Sequence, residues 1–450
     1  MSEELIIDYI EKNRENFIEF FREMIKVDTY NPPGNELNGA KKIAQYLGKY
    51  NIDVEVFKYG ENRANLIAYL NKNFNNKNLL FNGHMDIVPA GEESDWKYPP
   101  LSAYKKRNKY IYGRGAADMK GGLTAMIIAL QILKDLDLNL NGNLILTAVS
   151  DEETGGKEGT KWVLENKLNE IKCDFAIIGE PTGLNPLPKA IILGERGHLQ
   201  LKIIAHGVSC HASMPTMGTN AIMMINKFIQ NLDKLDDKIP SIEPPISINE
   251  LKNLTSEAFP SKEIFENIFD QQELLQSLLY SLTKFTKSVT MINGGIKENV
   301  IPDVCEIVMD FRLLPKQDPN QILDALKELI NEIGYKIKEK NEDKNDVYFR
   351  FEIIHKSEGS YWKNWKESDD LKLFYDIVKR VYKKDSFYTL YPPCADAHYL
   401  RNSGFCHSTI LFGPGNASTA HAVDENIEIE DFINAVKTYT LFAYEFLQKN

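Results

Sequence analysis

The chain is 450 residues long, 43% hydrophobic and 26% charged, with a formal net charge of −11. That length exceeds what one hydrophobic core ordinarily serves, so two domains are expected. The negative balance argues against a nucleic-acid partner and supplies no long-range attraction for anionic substrates, so any carboxylate must be recognised locally.

Helical periodicity runs from about Glu3 to Val27, breaks at Asn31-Pro32-Pro33-Gly34, and resumes from Asn38 to Tyr50. Short strands are expected at Val54 to Phe57, Asn65 to Tyr69 and Leu79 to Asn82. After Asp118 a helix carries Leu123, Met126, Ile127, Leu130 and Leu133 on one stripe, and Asn143 to Val149 and Phe175 to Ile178 are buried strands. Strand and helix thus alternate through residues 1–194, as in a layered α/β domain.

From Glu195 the pattern changes. Strand Leu199 to Ala205, helix Asn220 to Asp233, strands Ser288 to Ile292 and Val304 to Phe311, helix Asn320 to Ile333 and strand Val347 to Ile354 follow in turn. That βαββαβ order suits a ferredoxin-like unit over 195–358, with an insertion near 239–287. Residues 359–450 rejoin the first domain through a helix from Asp370 to Lys383, a strand from Ser408 to Phe412, a loop to His421 and a helix from Glu430 to Leu447. The expected fold class is therefore α/β with two domains: a mixed-sheet α/β domain and an inserted ferredoxin-like domain.

No stretch approaches the roughly 20 apolar residues of a membrane span. The acidic start Ser2-Glu3-Glu4 has no apolar core of a secretory signal. Five cysteines, with no Cys-x-x-Cys pair, argue against a disulfide framework or a thiolate zinc site. A cytoplasmic protein without a membrane partner is expected.

Four strand-like runs stop at carboxylates or histidine: Gly83-His84-Met85-Asp86, Gly115-Ala116-Ala117-Asp118, Asp151-Glu152-Glu153 and Gly179-Glu180. In open α/β sheets, groups beyond the carboxyl ends of strands converge on one crevice. Gly413-Pro414-Gly415 leads to His421, a late histidine that could close the site. His84 and Asp86, two apart, lie on one side of an extended strand. One can bind metal while the other fixes its imidazole. Glycines flanking Asp118 permit the close approach that a carboxylate shared by two cations needs, although a helix cap would look the same. Adjacent Glu152 and Glu153 repel unless a metal or a shared proton compensates. A division of labour follows, with Glu153 a ligand and Glu152 a proton carrier. Glu180 gives a second metal its own acid, or is a solvated turn residue.

Together these segments, with Gly113-Arg114-Gly115-Ala116-Ala117-Asp118-Met119-Lys120-Gly121-Gly122 and Ala420-His421, resemble the M20 metallopeptidase/deacylase family over nearly the whole chain. That family includes acetylornithine deacetylase, succinyl-diaminopimelate desuccinylase, aminoacylase and glutamate carboxypeptidase. The resemblance implies two zinc ions, with cobalt or manganese as substitutes. His84, Asp118 and Glu180 would hold one, and Asp118, Glu153 and His421 the other, with a shared hydroxide as nucleophile. It further implies Glu152 as general base, Asp86 as the support of His84, and a lid domain that forms a homodimer. His211, in Gly207-Val208-Ser209-Cys210-His211-Ala212-Ser213, would reach the partner subunit's site to stabilise the oxyanion.

Asn299, in Asn299-Val300-Ile301-Pro302, and Arg312 resemble the family's substrate contacts, Arg312 suiting an α-carboxylate by bidentate bonding. Backbone N–H groups around Gly415 to Ser418 could add to that pocket. Where relatives have Asp-Ala-Arg, this chain has Asp396-Ala397-His398. His198, His206, His355 and His407 show no acid partner and are expected to be packed or surface imidazoles. Glutamate at position 180 favours deacylases over aminopeptidases and dipeptidases within the family. The expected activity is removal of an acyl group from an N-acyl amino acid, the alternative a carboxypeptidase or dipeptidase acting on short peptides.

Overall fold

The computed structural model describes residues 2–72, 76–168, 172–184, 187–339 and 346–448. Among them a nine-stranded mixed sheet forms the first domain, in the order Asp53–Tyr59, Arg63–Leu70, Asn143–Val149, Asn78–His84, Phe175–Ile178, Thr409–Leu411, Ala190–Glu195 and Ser360–Tyr361, with Phe387–Tyr391 also paired to Ala190–Glu195. The four strands from Asn143–Val149 to Thr409–Leu411 are parallel. Their register sets His84 opposite Val149 and Asn82 opposite Ile178, so the chain leaves three of them at one edge of the sheet, at Met85, Ser150 and Gly179.

Each central strand is buried on both faces. Leu79, Phe81, Leu144, Leu146, Phe175 and Ile177 pack under the long helices Ser2–Lys26, Gly121–Asp135, Asp369–Tyr382 and Ile429–Gln448. Leu80, Ile145, Ala176 and Ile178 face Val163, Leu164 and Leu400 on the other side. Continuous apolar runs of this kind are what a sheet covered on both sides requires. By length and composition the segment Ala116–Asp135 could cross a membrane, a point against the expectation that no stretch approaches a span; here 94% of it is buried, as the central helix of a domain.

The inserted domain has the expected order. Its sheet runs Thr286–Gly294, Val304–Leu313, Gly197–His206, Tyr348–Ser357 and Lys336–Ile337. Along Gly197–His206, Leu199, Leu201, Ile203 and Ala205 face the helices Ala221–Gln230 and Pro319–Glu332 in a separate core. The alternate residues His198 and Gln200, with Asp310 and Arg312 directly across in register, share the other face. Asn220 caps the first of the two helices, accepting from the N–H groups of Ile222 and Met223.

The insertion joins the first domain's core. Its helices Ile248–Ser256, Lys262–Gln271 and Glu273–Leu282 contribute Leu251, Leu254, Phe265, Phe269, Leu279 and Leu282 to the apolar cluster that contains Trp365, Leu371 and Leu390. Lys366 pairs with Glu250 at its edge. The segment thus leaves the lid, docks on the catalytic domain and returns.

Leu251 is fully buried in that contact. Leu251→Ala should lower stability in urea denaturation by about 2–5 kcal/mol, the range for emptying a packed leucine site. A loss under about 1 kcal/mol would mean that the helices are not docked.

Candidate metal centre and active-site cavity

Asp118 stands at the middle of the site. Its Oδ1 lies 3.1 Å from Nε2 of His84, and its Oδ2 lies 3.2 Å from Nε2 of His421. Glu180 is 3.7 Å from the same nitrogen of His84, and Glu153 is 3.0 Å from that of His421. Two groups result, His84 with Asp118 and Glu180, and Asp118 with Glu153 and His421, and within each group the ligand atoms lie within 4.8 Å of one another. The structure thus brings together all five sequence-predicted ligands. Glu152 stands beside them, its carboxylate 4.0 Å from His84.

Close backbone contact makes this convergence possible. A Cβ on Gly122 would sit 1.9 Å from the carbonyl oxygen of Gly179, so glycine there lets the turn carrying Asp118 meet the strand end carrying Glu180. Asp151 adopts φ 70°, and its carboxylate accepts from the Thr154 hydroxyl and the Glu158 N–H. Aspartate tolerates this left-handed turn because its short side chain bonds locally.

Asp86 does more than the sequence suggests. Nδ1 of His84 meets the backbone oxygen of Asp86 at 2.9 Å and its carboxylate only at 3.6 Å. That carboxylate instead accepts from the N–H groups of Glu152 and Glu153, at 3.3 and 3.2 Å, and from the Asn31 side chain at 2.9 Å. It holds the His84 strand end and the diglutamate turn in one piece.

Four carboxylates, Asp118, Glu152, Glu153 and Glu180, crowd together around two histidines. Burial pushes Glu152, Glu153 and Glu180 above the ordinary carboxyl range, and their neighbouring acids add to it. Burial works against a charge on His84, but hydrogen bonding to Asp118 and the charges of Glu152 and Glu180 outweigh it and raise this histidine well above its usual value. Bonds to Asp118 and Glu153 raise His421 to about 11. Such a cluster calls for positive charge, and two divalent ions would balance four carboxylates. The mixed nitrogen and oxygen donors suit zinc, and also cobalt or manganese.

These groups form one end of a cavity of about 730 Å³ between the two domains. The opposite wall is the open face of the lid sheet, with Arg196, His198, Gln200, Arg312 and His355. His198 does have an acid partner: its Nε2 lies 2.8 Å from Asp310, which also accepts from Arg312 at 2.8 Å. The expectation that His198 lacks an acid partner fails here, whereas His355 has none among the described residues and packs on the His198 ring; strand alternation turns both towards the cavity. Only the pairing of distant strands could reveal this. His206 stacks on Tyr348 and His407 is exposed, as expected. His398 also lines the cavity, its Nδ1 2.8 Å from the carbonyl oxygen of Ala395, and burial lowers it to about 4.

The other predicted contacts lie apart. The Gly415 N–H donates to Asp431 and the Ser418 N–H to Asn416, so in this conformation neither is free for a ligand. His211 and Asn299 are exposed on the lid, on neighbouring segments joined by a bond from the Ala212 N–H to the Asn299 carbonyl, and neither lines the cavity of its own chain.

The raised groups fix the sign of a pH effect. Glu152, Glu153, Glu180, His84 and His421 all hold protons to higher pH in the folded than in the unfolded chain. Stability of the metal-free protein should therefore fall as pH rises from about 5 to 8, a range in which the unfolded chain's glutamates are already ionised and its histidines lose their protons. Added zinc should flatten that dependence and release protons, read by calorimetry in buffers of different ionisation enthalpy. A metal-free protein whose melting temperature rises across this range would contradict the burial of the three glutamates and the bonding of His84 and His421 to the acids.

A family model, Peptidase family M20/M25/M40, matches residues 80–445. Among curated proteins, the chain is similar to a probable succinyl-diaminopimelate desuccinylase of Staphylococcus aureus (strain MRSA252), with 28% identity over 434 residues covering 96% of this chain and 98% of that one. It is also similar to the succinyl-diaminopimelate desuccinylase of Wigglesworthia glossinidia brevipalpis, 27% identical over 97% of this chain and all of that one. In fold it is similar to an M20 family metallo-carboxypeptidase from Sulfolobus solfataricus, with TM-score 0.76, 23% identity and coverage of 95% and 98% of the two chains. Human carnosine dipeptidase 1 gives the same TM-score at 17% identity, with coverage of 100% and 99%. With the family model spanning most of its length, the chain belongs to peptidase family M20/M25/M40 and is a hydrolase of amide bonds.

Proposed function

We propose that the protein is a dinuclear zinc amidohydrolase that removes an acyl group from an N-acyl amino acid. The observation that carries this reading is the cavity itself, with two ligand groups sharing Asp118 at one end and the guanidinium groups of Arg196 and Arg312, beside His198 and His355, at the other. Bound in these groups, divalent ions would polarise the amide carbonyl and acidify the attacking water. Glu152 takes the proton of that water and returns it to the leaving nitrogen. Its burial raises it above the ordinary carboxyl range, the direction that suits a proton shuttle. Arg312 is held in plane by Asp310 through its Nε and one terminal nitrogen. It presents a fixed guanidinium to the substrate α-carboxylate.

The relatives named as succinyl-diaminopimelate desuccinylases favour succinyl over acetyl, and a basic wall suits a substrate with a second carboxylate. The same wall also fits the terminal carboxylate of a short peptide, which keeps the carboxypeptidase or dipeptidase reading beside it. Turnover of the zinc-loaded protein on N-succinyl and N-acetyl amino acids, N-succinyl-diaminopimelate among them, should exceed that on free dipeptides. Preference for dipeptides would reject the deacylase reading. Glu152→Ala should lower turnover roughly 100- to 10,000-fold with metal content unchanged.

We also infer that the active form is a homodimer through the lid. The lid's edge strand Thr286–Gly294 exposes Met291 at 66% and Ile292 at 62%, beside Ile296 at 89% and, on the helix Ala221–Gln230, Met223 at 59%. An exposed apolar edge strand is a template for pairing, so it is ordinarily covered. Nδ1 of His211 lies 2.7 Å from the Ser213 hydroxyl and 3.2 Å from its backbone nitrogen, which fixes the ring with Nε2 as the nitrogen to serve as oxyanion donor in a partner subunit's site. Light scattering should show a dimer, and His211→Ala should lose about 100-fold or more in rate with metal content intact. A fully active monomer would reject both roles.

A further inference from the structure

Arg114 and Glu425 make a buried pair on no face of the substrate cavity. Their side chains are 3% and 0% exposed and meet at 2.7 Å. The other oxygen of Glu425 accepts from the backbone N–H groups of Ala117 and Asp118, at 2.8 and 3.1 Å. The terminal nitrogens of Arg114 donate to the carbonyl oxygens of His421 and Ala422, both at 3.2 Å. The guanidinium also lies over the Trp96 ring, 5.0 Å from its centroid. One ion pair therefore grips the backbone of two ligand residues that are remote in sequence, Asp118 and His421.

Backbone carbonyls and N–H groups can satisfy one another in helices and sheets without charges. Here the backbone departs from helical geometry at Asp118, with φ −117° and ψ 102°, and His421 stands at φ 60°, so the N–H groups of Ala117 and Asp118 and the carbonyls of His421 and Ala422 take side-chain partners. A buried pair of full charges costs more desolvation than an apolar contact of equal size, so its presence is better explained by what it orients than by stability.

We propose that Arg114 and Glu425 are positioning residues that set the separation of the Asp118 carboxylate and the His421 imidazole, and with it the affinity of the metal group Asp118, Glu153 and His421. This rests on the two-metal reading above. The clamp holds two of the three ligands of that group and only one of the three in the group His84, Asp118 and Glu180. Loosening it therefore weakens one site selectively.

The test is a titration of the metal-free full-length protein with Co2+, followed by calorimetry and by the visible absorption of the bound ion. In Glu425→Gln the side chain keeps its size, but its NH2 must face either Arg114 or the two backbone N–H groups, so at least one link breaks. The wild type should take up two equivalents. In the variant one equivalent should weaken about 10- to 100-fold, the range for loss of a group that orients a ligand, with an altered absorption band, while the other weakens far less. Because an unpaired buried arginine can compromise folding, the double variant Arg114→Met/Glu425→Gln removes both charges together and should show the same selective loss. Equal weakening of both sites in the double variant, or unchanged binding in either, would overturn the clamp. A wild type that takes up fewer than two equivalents would overturn the two-metal reading and the clamp with it.

Discussion

The structure depends on four carboxylates meeting in one buried place. Asp118, Glu152, Glu153 and Glu180 repel one another, and no apolar packing compensates for that repulsion. Each oxygen of Asp118 turns to a different histidine, so a single side chain links the two halves of the cluster. Divalent cations held by these groups would resolve the conflict and would also polarise a substrate carbonyl.

Such a cluster forms only if the backbone is held against it. Two buried carboxylates outside the ligand set do this in the same way, by accepting consecutive backbone N–H groups. Asp86 takes those of Glu152 and Glu153, and Glu425 takes those of Ala117 and Asp118. Each is tied to a further segment, Asp86 to Asn31 and Glu425 to Arg114, so the ligand-bearing turns are braced from outside. The parallel strands beneath supply the coarse placement, and these bonds supply the fine one.

The lid contributes opposite charge through Arg196 and Arg312. Its sheet buries one face on two helices and turns the other, with Arg312, His198 and His355, across the cavity from the acids. The helical insertion ties the lid back to the first domain through Leu251, Phe265 and their neighbours. Under the proposed function, a substrate between the walls would meet the acids and the metals they hold on one side and the two guanidinium groups on the other, an asymmetry that would orient an amide carrying a carboxylate.

The residue order alone determined much of this. Apolar runs ending in His84, Glu153 and Glu180, and the glycine-flanked Asp118, mark ligands, and Glu152 the residue beside them, because strand ends in a parallel sheet converge whatever their separation in sequence. The βαββαβ order of the lid was legible for a similar reason, each element carrying its own period. Strands as short as Ser360–Tyr361, and the docking of the insertion on the first domain, were not legible, because neither has a local signal. The same holds for His198 with Asp310 and for Arg114 with Glu425: their partners lie 112 and 311 residues away, and only strand pairing and loop packing bring them together. Local chemistry is written in neighbouring residues. Which distant charges share a buried site is decided by the tertiary fold, because only there does burial make an unpaired charge too costly to leave.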